Sequence, residues 1–305
     1  MRTLWGSATD RGRVRSLNED SLLAYPPVFL VADGMGGHDA GDVASRLVVE
    51  EFSFLVGHDG ATSDDVHACF ERASARMRDI LGDRTAGTTV AGVAVTATDN
   101  GEYWLVFNIG DSRVYRVSEG VLEQISVDHS VVQELVDSGD LALADARIHP
   151  ERHVITRAVG TGGVPDPDYW LIPASAEDRL LVCSDGLTTE LDDATLLHGL
   201  TAFADPQQSA DWLVGAAVDA GGRDNVTVIV VDVAAAWGEL SAEETITRGT
   251  ATAARIPRKG PDGAPWDEEL HGETVPREDR AAPTAPTPAA RRAMPPVPPP
   301  PAEVS

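Results

Sequence analysis

Six short runs rich in β-branched, aromatic and other apolar residues follow one another through the first 233 residues, at 28–32, 89–96, 103–109, 113–117, 180–184 and 226–233. Short turns such as Asn100-Gly101 and Glu119-Gly120 separate neighbouring runs, and strands joined this tightly pair antiparallel. Helical spacing of apolar residues is clear in only three places. The stretch 41–55 carries Val43, Leu47, Val48, Phe52 and Leu55 on one side; 64–81 carries Val66, Phe70, Ala73, Met77 and Ile80 behind Ser63 as N-cap; 207–218 carries Trp212, Leu213 and Ala216. Consecutive strands with few helices predict an α+β layout, helices packed outside antiparallel sheet, rather than a doubly wound parallel fold.

The pattern stops before the chain does. Of the 20 prolines, 13 fall between Pro257 and Pro301, and from Ser241 onward apolar residues follow neither a two-residue nor a 3.6-residue period. Such a segment cannot bury enough surface to offset its ordering entropy. The expected organisation is a folded domain over 1–238 and a disordered Pro-rich tail over 239–305, ending in a polyproline II spacer. The net charge of −25 belongs mainly to the domain, where 38 acidic residues face 16 basic ones. That balance excludes binding of nucleic acid or an anionic membrane through bulk charge. No run approaches the roughly 18 apolar residues of a spanning helix, and the first residues lack the apolar core of a signal peptide, so the expected location is the cytoplasm. Cys69 and Cys183 lie far apart without a partner motif; neither a disulfide framework nor a zinc site is expected, and Cys183 reads as a small core residue.

The chemistry is carried by carboxylates. Asp33, Asp111, Asp185 and Asp224 each stand at the end of a strand candidate beside Gly or another small residue, and Glu19 and Asp20 add two more. A single Asp before Gly is commonly an ordinary turn. Six carboxylates that converge would repel one another unless cations neutralise them, and an oxygen-only donor set suits hard cations such as Mg²⁺ or Mn²⁺.

Eight segments in register carry a resemblance. They are Asp10-Arg11-Gly12-Arg13-Val14-Arg15-Ser16-Leu17-Asn18-Glu19-Asp20, Asp33-Gly34-Met35-Gly36-Gly37-His38, Gly87-Thr88-Thr89, Gly110-Asp111-Ser112-Arg113, Asp128-His129-Ser130, Ile155-Thr156-Arg157-Ala158-Val159-Gly160, Ser184-Asp185-Gly186-Leu187 and Asp224-Asn225-Val226-Thr227. In this order the chain resembles the metal-dependent PP2C/PPM protein serine/threonine phosphatases, in particular their bacterial branch. The resemblance implies an α-β-β-α four-layer sandwich, two antiparallel sheets face to face with helices outside. It implies that Asp33 bridges two metal ions, that the Gly34 carbonyl helps hold the second, and that Asp185 and Asp224 complete the first. Glu19 would be the acidic residue near the second ion, Asp111 a contributor to a weaker third, and Arg15 the clamp on the substrate phosphate. The segment 138–153 would be a mobile flap. Where the eukaryotic branch has a histidine that protonates the leaving alkoxide, this chain has Met35, so the proton would come from a metal-bound water or from His38, a residue that a structural hydrogen bond at a helix start explains better.

Elementary chemistry leads to the same roles. Two cations sharing Asp33 would acidify a water for in-line attack on phosphorus, and Arg15 would offer a bidentate fork to phosphate oxygens, although outside this motif it would read as a solvated surface arginine. The expected activity is hydrolysis of phosphoserine and phosphothreonine in proteins by a monomer that opposes a Ser/Thr kinase. The alternative is a pseudophosphatase, a non-catalytic metal-binding signalling module. In the tail, Glu244-Thr245-Ile246-Thr247-Arg248 recurs as Glu273-Thr274-Val275-Pro276-Arg277. That repeat is either coincidence in a biased composition or a pair of phosphorylation sites at Thr245 and Thr274.

Overall fold

Strand β3 (Val28–Gly36) shows how the layers arise. Successive side chains on a strand face opposite ways, and on β3 both faces are apolar: Val28, Leu30 and Ala32 pack with helices, while Phe29 and Val31 pack into the space between two sheets. Central strand β11 (Val226–Ala235) does the same, sending Val226, Val228 and Val230 to a second helical layer and Ile229, Val231 and Val233 inward.

The structure, a computed structural model, describes residues 1–36, 40–82, 86–99, 101–146, 148–235 and 254–255. All lie in the first of two units, Met1–Arg258 and Lys259–Ser305. Chain order runs β1 (Arg2–Asp10), β2 (Asp20–Tyr25), β3, α1 (Ala40–Phe52), a 3₁₀ turn at Ser53–Leu55, α2 (Ser63–Leu81), β4 (Ala86–Thr88), β5 (Val90–Thr98) and β6 (Gly101–Ile109). It continues through β7 (Arg113–Ser118), β8 (Val121–Gln124), α3 (Val131–Asp137), α4 (Leu143–Ala146), β9 (Asp168–Pro173), β10 (Arg179–Cys183), α5 (Asp185–Glu190), α6 (Asp193–Thr201), α7 (Pro206–Ala220), β11 and β12 (Ala254–Arg255). One sheet has the order β1-β11-β10-β7-β8; the other has β12-β9-β6-β5-β3-β2, with β4 beside β3. Every pairing is antiparallel.

Three apolar layers follow. Helices α1 and α2 cover the larger sheet, where Phe52, Phe70 and Phe107 meet as edge-to-face and stacked rings. Phe29, Trp104 and Trp170 fill the interface between the sheets. Helices α5, α6 and α7 cover the smaller sheet through Leu187, Leu196 and Leu213. This is the α-β-β-α sandwich. No helix among the described residues is long and apolar enough to cross a membrane.

Details differ from the sequence reading. The N-cap of α2 is Thr62, not Ser63: its hydroxyl accepts from the Asp65 N–H at 3.2 Å while the Asp65 carboxylate accepts from the Thr62 N–H at 2.9 Å. Ile80 faces solvent, and Cys69 and Leu81 complete the buried stripe instead. In α7 the buried stripe is Ala210, Leu213, Val214 and Ala217, with Trp212 only partly covered. The tail expected to be disordered lies outside the described residues apart from β12, which pairs with Trp170 and Leu171 of β9.

Candidate active site

The sheets bring their carboxylates to one end of the sandwich. The larger sheet contributes Asp33 from β3, Glu19 from the residue before β2, and Asp111 from the turn between β6 and β7; the smaller contributes Asp185 at the end of β10 and Asp224 just ahead of β11. Asp20 and Asp33 are paired directly across β2 and β3, an arrangement of like charges that a sheet tolerates only when something neutralises it.

The electrostatics register this crowding. Burial, followed by the fields of Asp20, Asp185, Asp111 and Asp224, holds the Asp33 carboxyl well above the usual carboxylate range. Burial and then Asp185 and Asp128 push Asp111 the same way against Arg113. Asp185 is also raised, by burial and by Asp224, despite a hydrogen bond with Asp33 and the nearby His153. Asp20 is pushed up to about 7, mainly by burial and by the fields of Asp185 and Asp224, although Thr227 and Ser184 donate to its Oδ2 at 2.6 and 2.9 Å. Those two bonds cross from one sheet to the other at the site. The second oxygen of Asp20, Oδ1, is buried without a hydrogen-bond donor.

Arg15 lies in the loop between β1 and β2, with Nη2 donating to Asp224 Oδ2 at 2.7 Å. Burial opposes its charge, but that bond and the fields of Asp224, Asp33 and Glu19 more than compensate, so the guanidinium stays protonated. Asn225 fixes this loop. Its Oδ1 accepts from the Glu19 N–H at 2.9 Å, and its Nδ2 donates to the carbonyls of Arg11 and Leu17, each at 2.9 Å. Gly34 is packed against the same loop: its N–H donates to the Glu19 carbonyl at 3.2 Å, and a Cβ there would lie 2.2 Å from the Gly41 carbonyl oxygen. Only glycine fits beside Asp33.

All six residues expected at the site, together with Gly34, thus lie at one end of the sandwich. Among the described residues, no three carboxylate, imidazole or thiol groups stand in a ligating arrangement; Asp33 is instead hydrogen bonded with Asp185, and Asp224 is taken by Arg15. A hard cation nevertheless fits the donor set: oxygen ligands only, mutually repelling, with one buried carboxylate oxygen lacking any donor. His38 lies outside the described residues. Met35 points toward Gly87, 3.4 Å from where a Cβ would stand. Position 153, seen beforehand only as the end of a flap, proves to be a site residue: His153 Nδ1 is 4.0 Å from Asp185 Oδ2.

Comparison with known proteins gives a consistent result. The family model Protein phosphatase 2C matches residues 13–216. The serine/threonine protein phosphatase PstP of Mycobacterium tuberculosis is 37% identical over 237 residues, 75% of this chain and 45% of that protein; the chain therefore spans about half the length of this relative. The serine/threonine phosphatase stp of Listeria innocua is 33% identical over 235 residues, covering 73% of this chain and 93% of that one. The solved catalytic domain of PstP in complex with two manganese ions matches with a TM-score of 0.67 at 35% identity, covering 76% of this chain and 99% of that structure. On the family match, the shared sandwich and the order of its carboxylates, this chain belongs to the PP2C (PPM) family of protein serine/threonine phosphatases, in its bacterial branch.

Proposed function

We propose that this chain hydrolyses phosphoserine and phosphothreonine in proteins, with Mn²⁺ or Mg²⁺ as cofactor, and that it opposes a Ser/Thr protein kinase. The observation that carries the reading is the convergence of Asp33, Asp111, Asp185 and Asp224 from two sheets with Arg15 already held among them. Asp33, Gly34 through its carbonyl, Asp185 and Asp224 would hold two ions, with Glu19 beside the second and Asp111 contributing to a third. The bound cations would supply the Lewis acidity that makes water a nucleophile near neutral pH. Arg15, released from Asp224, presents two N–H groups to phosphate oxygens, binding the substrate and stabilising charge that grows in the transition state. Asn225 keeps the Arg15 loop in place, so this positioning is achieved before substrate arrives. His153 adds a polar group at the rim beside Asp185.

The family's machinery is intact at Arg15, Asp33, Asp185 and Asp224, which favours an enzyme over the non-catalytic module. The same reading takes 1–238 as the catalytic domain and 239–305 as a tail that chemistry does not need, in a monomeric cytoplasmic protein. Hydrolysis of a phosphothreonine peptide by the full chain tests it. Turnover should require Mn²⁺ or Mg²⁺ and stop with EDTA. Asp33→Asn should abolish it with the fold retained, and Arg15→Ala should lower kcat/KM by about 10²–10³, the usual loss when one preorganised donor is removed. Metal binding without turnover on any phosphopeptide would replace the enzyme with the module.

A further inference from the structure

We infer that His129 positions Asp111, by gripping the backbone on both sides of Gly110. The inference rests on the reading of Asp111 as a metal ligand. Gly110 immediately precedes Asp111 and has φ +107°; a Cβ there would lie 2.5 Å from Cβ of Thr89. Its residue type is therefore forced to be glycine, the residue that restrains its own backbone least, so the turn carrying Asp111 must be held from outside.

His129 supplies that hold twice. Its backbone N–H donates to the Gly110 carbonyl at 2.8 Å, one bond from the Asp111 amide nitrogen. Its imidazole Nδ1 accepts from the Gly110 N–H at 3.1 Å. With Nδ1 an acceptor, the ring proton sits on Nε2 and faces Asp168 Oδ2 at 3.2 Å, so the carboxylate fixes both tautomer and ring orientation. Arg157 Nη1 stands 3.5 Å from the other oxygen of Asp168 and 3.2 Å from Nε2; with both nitrogens carrying protons, the Asp168 carboxylate is the acceptor they share. His129 and Asp168 are 6% and 4% exposed, too buried for water to substitute for either contact. The same residue is the stem of the 131–154 excursion: its carbonyl accepts from the Thr156 N–H at 2.8 Å, and its neighbour Ser130 bridges Ile155. The chain leaves His129 and returns beside it, and on the way back His153 comes within 4.0 Å of Asp185. One buried residue thus holds the turn of Asp111 through its ring and its N–H, and the base of the segment that overlooks the carboxylates through its carbonyl.

A purely structural role, in which His129 merely satisfies the buried Asp168, makes the opposite forecast for two conservative variants. In His129→Asn the amide oxygen takes the place of Nδ1 and accepts from Gly110, and the contact between residue 129 and Asp168 is lost. In His129→Gln the amide reaches the place of Nε2 and donates to Asp168, leaving the Gly110 N–H unpartnered. Calorimetric titration of the full chain with Mn²⁺ separates the two, and reads metal binding whether or not a phosphopeptide is a substrate. Asp111→Asn identifies the ion concerned by removing or weakening it. For that ion, His129→Gln should lose about tenfold in affinity, the lower end of what losing a supporting contact behind a ligand costs, while His129→Asn stays close to wild type. The reverse order, or wild-type binding in both, overturns the inference. Should His129→Gln fail to fold, His129→Asn decides alone: with the acceptor for the Gly110 N–H kept it should bind Mn²⁺ as wild type does, and a tenfold loss there overturns the inference. An unchanged titration in Asp111→Asn removes Asp111 from the ligand set and the inference with it.

Discussion

Asn225 shows how much of this site depends on a side chain that would never touch substrate. Its carboxamide bonds to Arg11, Leu17 and Glu19, and Leu17 and Glu19 bracket the stretch just after Arg15. Truncation to Asn225→Ala should free that loop, raising KM for a phosphothreonine peptide by about tenfold, the equivalent of roughly one net hydrogen bond's worth of loop ordering. Steady-state kinetics would check it; unchanged KM with normal folding would mean that the loop holds itself. The strand-end carboxylates were legible in the sequence because each stands beside a small residue, and Arg15 was legible only through the order of motifs that belongs to one family. The roles of Asn225, His129 and His153 were not. Their partners are distant in the chain, Asn225 reaching Arg11 across 214 positions, and nothing in local pattern encodes which strand ends will meet.

Elements were legible in proportion to their burial. The strands that read clearly, β3, β5, β6, β7, β10 and β11, are covered along much or all of their length. Those that escaped notice carry weaker signals: β1 and β2 are mostly half-buried edge strands, and β8 is short and largely exposed. Helix α2 was placed within one residue, but its cap was misread because Ser63 and Thr62 are chemically equivalent in sequence and only backbone geometry decides between them. Thr62 is extended at φ −91°, ψ 168°, as an N-cap must be. Thr62→Ala removes the capping box and should cost about 1 kcal/mol, read from urea unfolding, with kcat untouched because α2 packs on the outer face of the larger sheet. Ser63→Ala should cost much less, which distinguishes the two caps.

At the scale of the molecule, two sheets each deliver acidic residues to the same end of one sandwich, and this concentrates charge that folding alone does not neutralise. Asp20, Asp33, Asp111 and Asp185 all have carboxyls raised above their unfolded values, Asp20 to about 7 from 3.8. A raised folded-state carboxyl stabilises at low pH and loses that contribution as pH climbs through its folded value. With EDTA present, the thermal midpoint should therefore fall between pH 5 and pH 8, by about 2–4 °C for each kcal/mol lost in a domain of this size. Saturating Mn²⁺ should flatten the fall by binding the folded carboxylates. A midpoint that rises with pH in EDTA would contradict the crowding. The two cysteines tell a different story. Cys69 and Cys183 are buried without exposure, and burial pushes their thiols up to about 11 and about 12. Thiolate is the form that oxidants and alkylating reagents attack, so peroxide should leave the folded protein unmodified at both positions. The proposed chemistry, which would rely on carboxylates and cations, should then continue under oxidative conditions that silence thiol-based hydrolases. Any labelling by a thiol reagent becomes a direct count of how often the two helix-covered sheet faces come open, a kinetic record of the resting molecule that requires neither substrate nor denaturant.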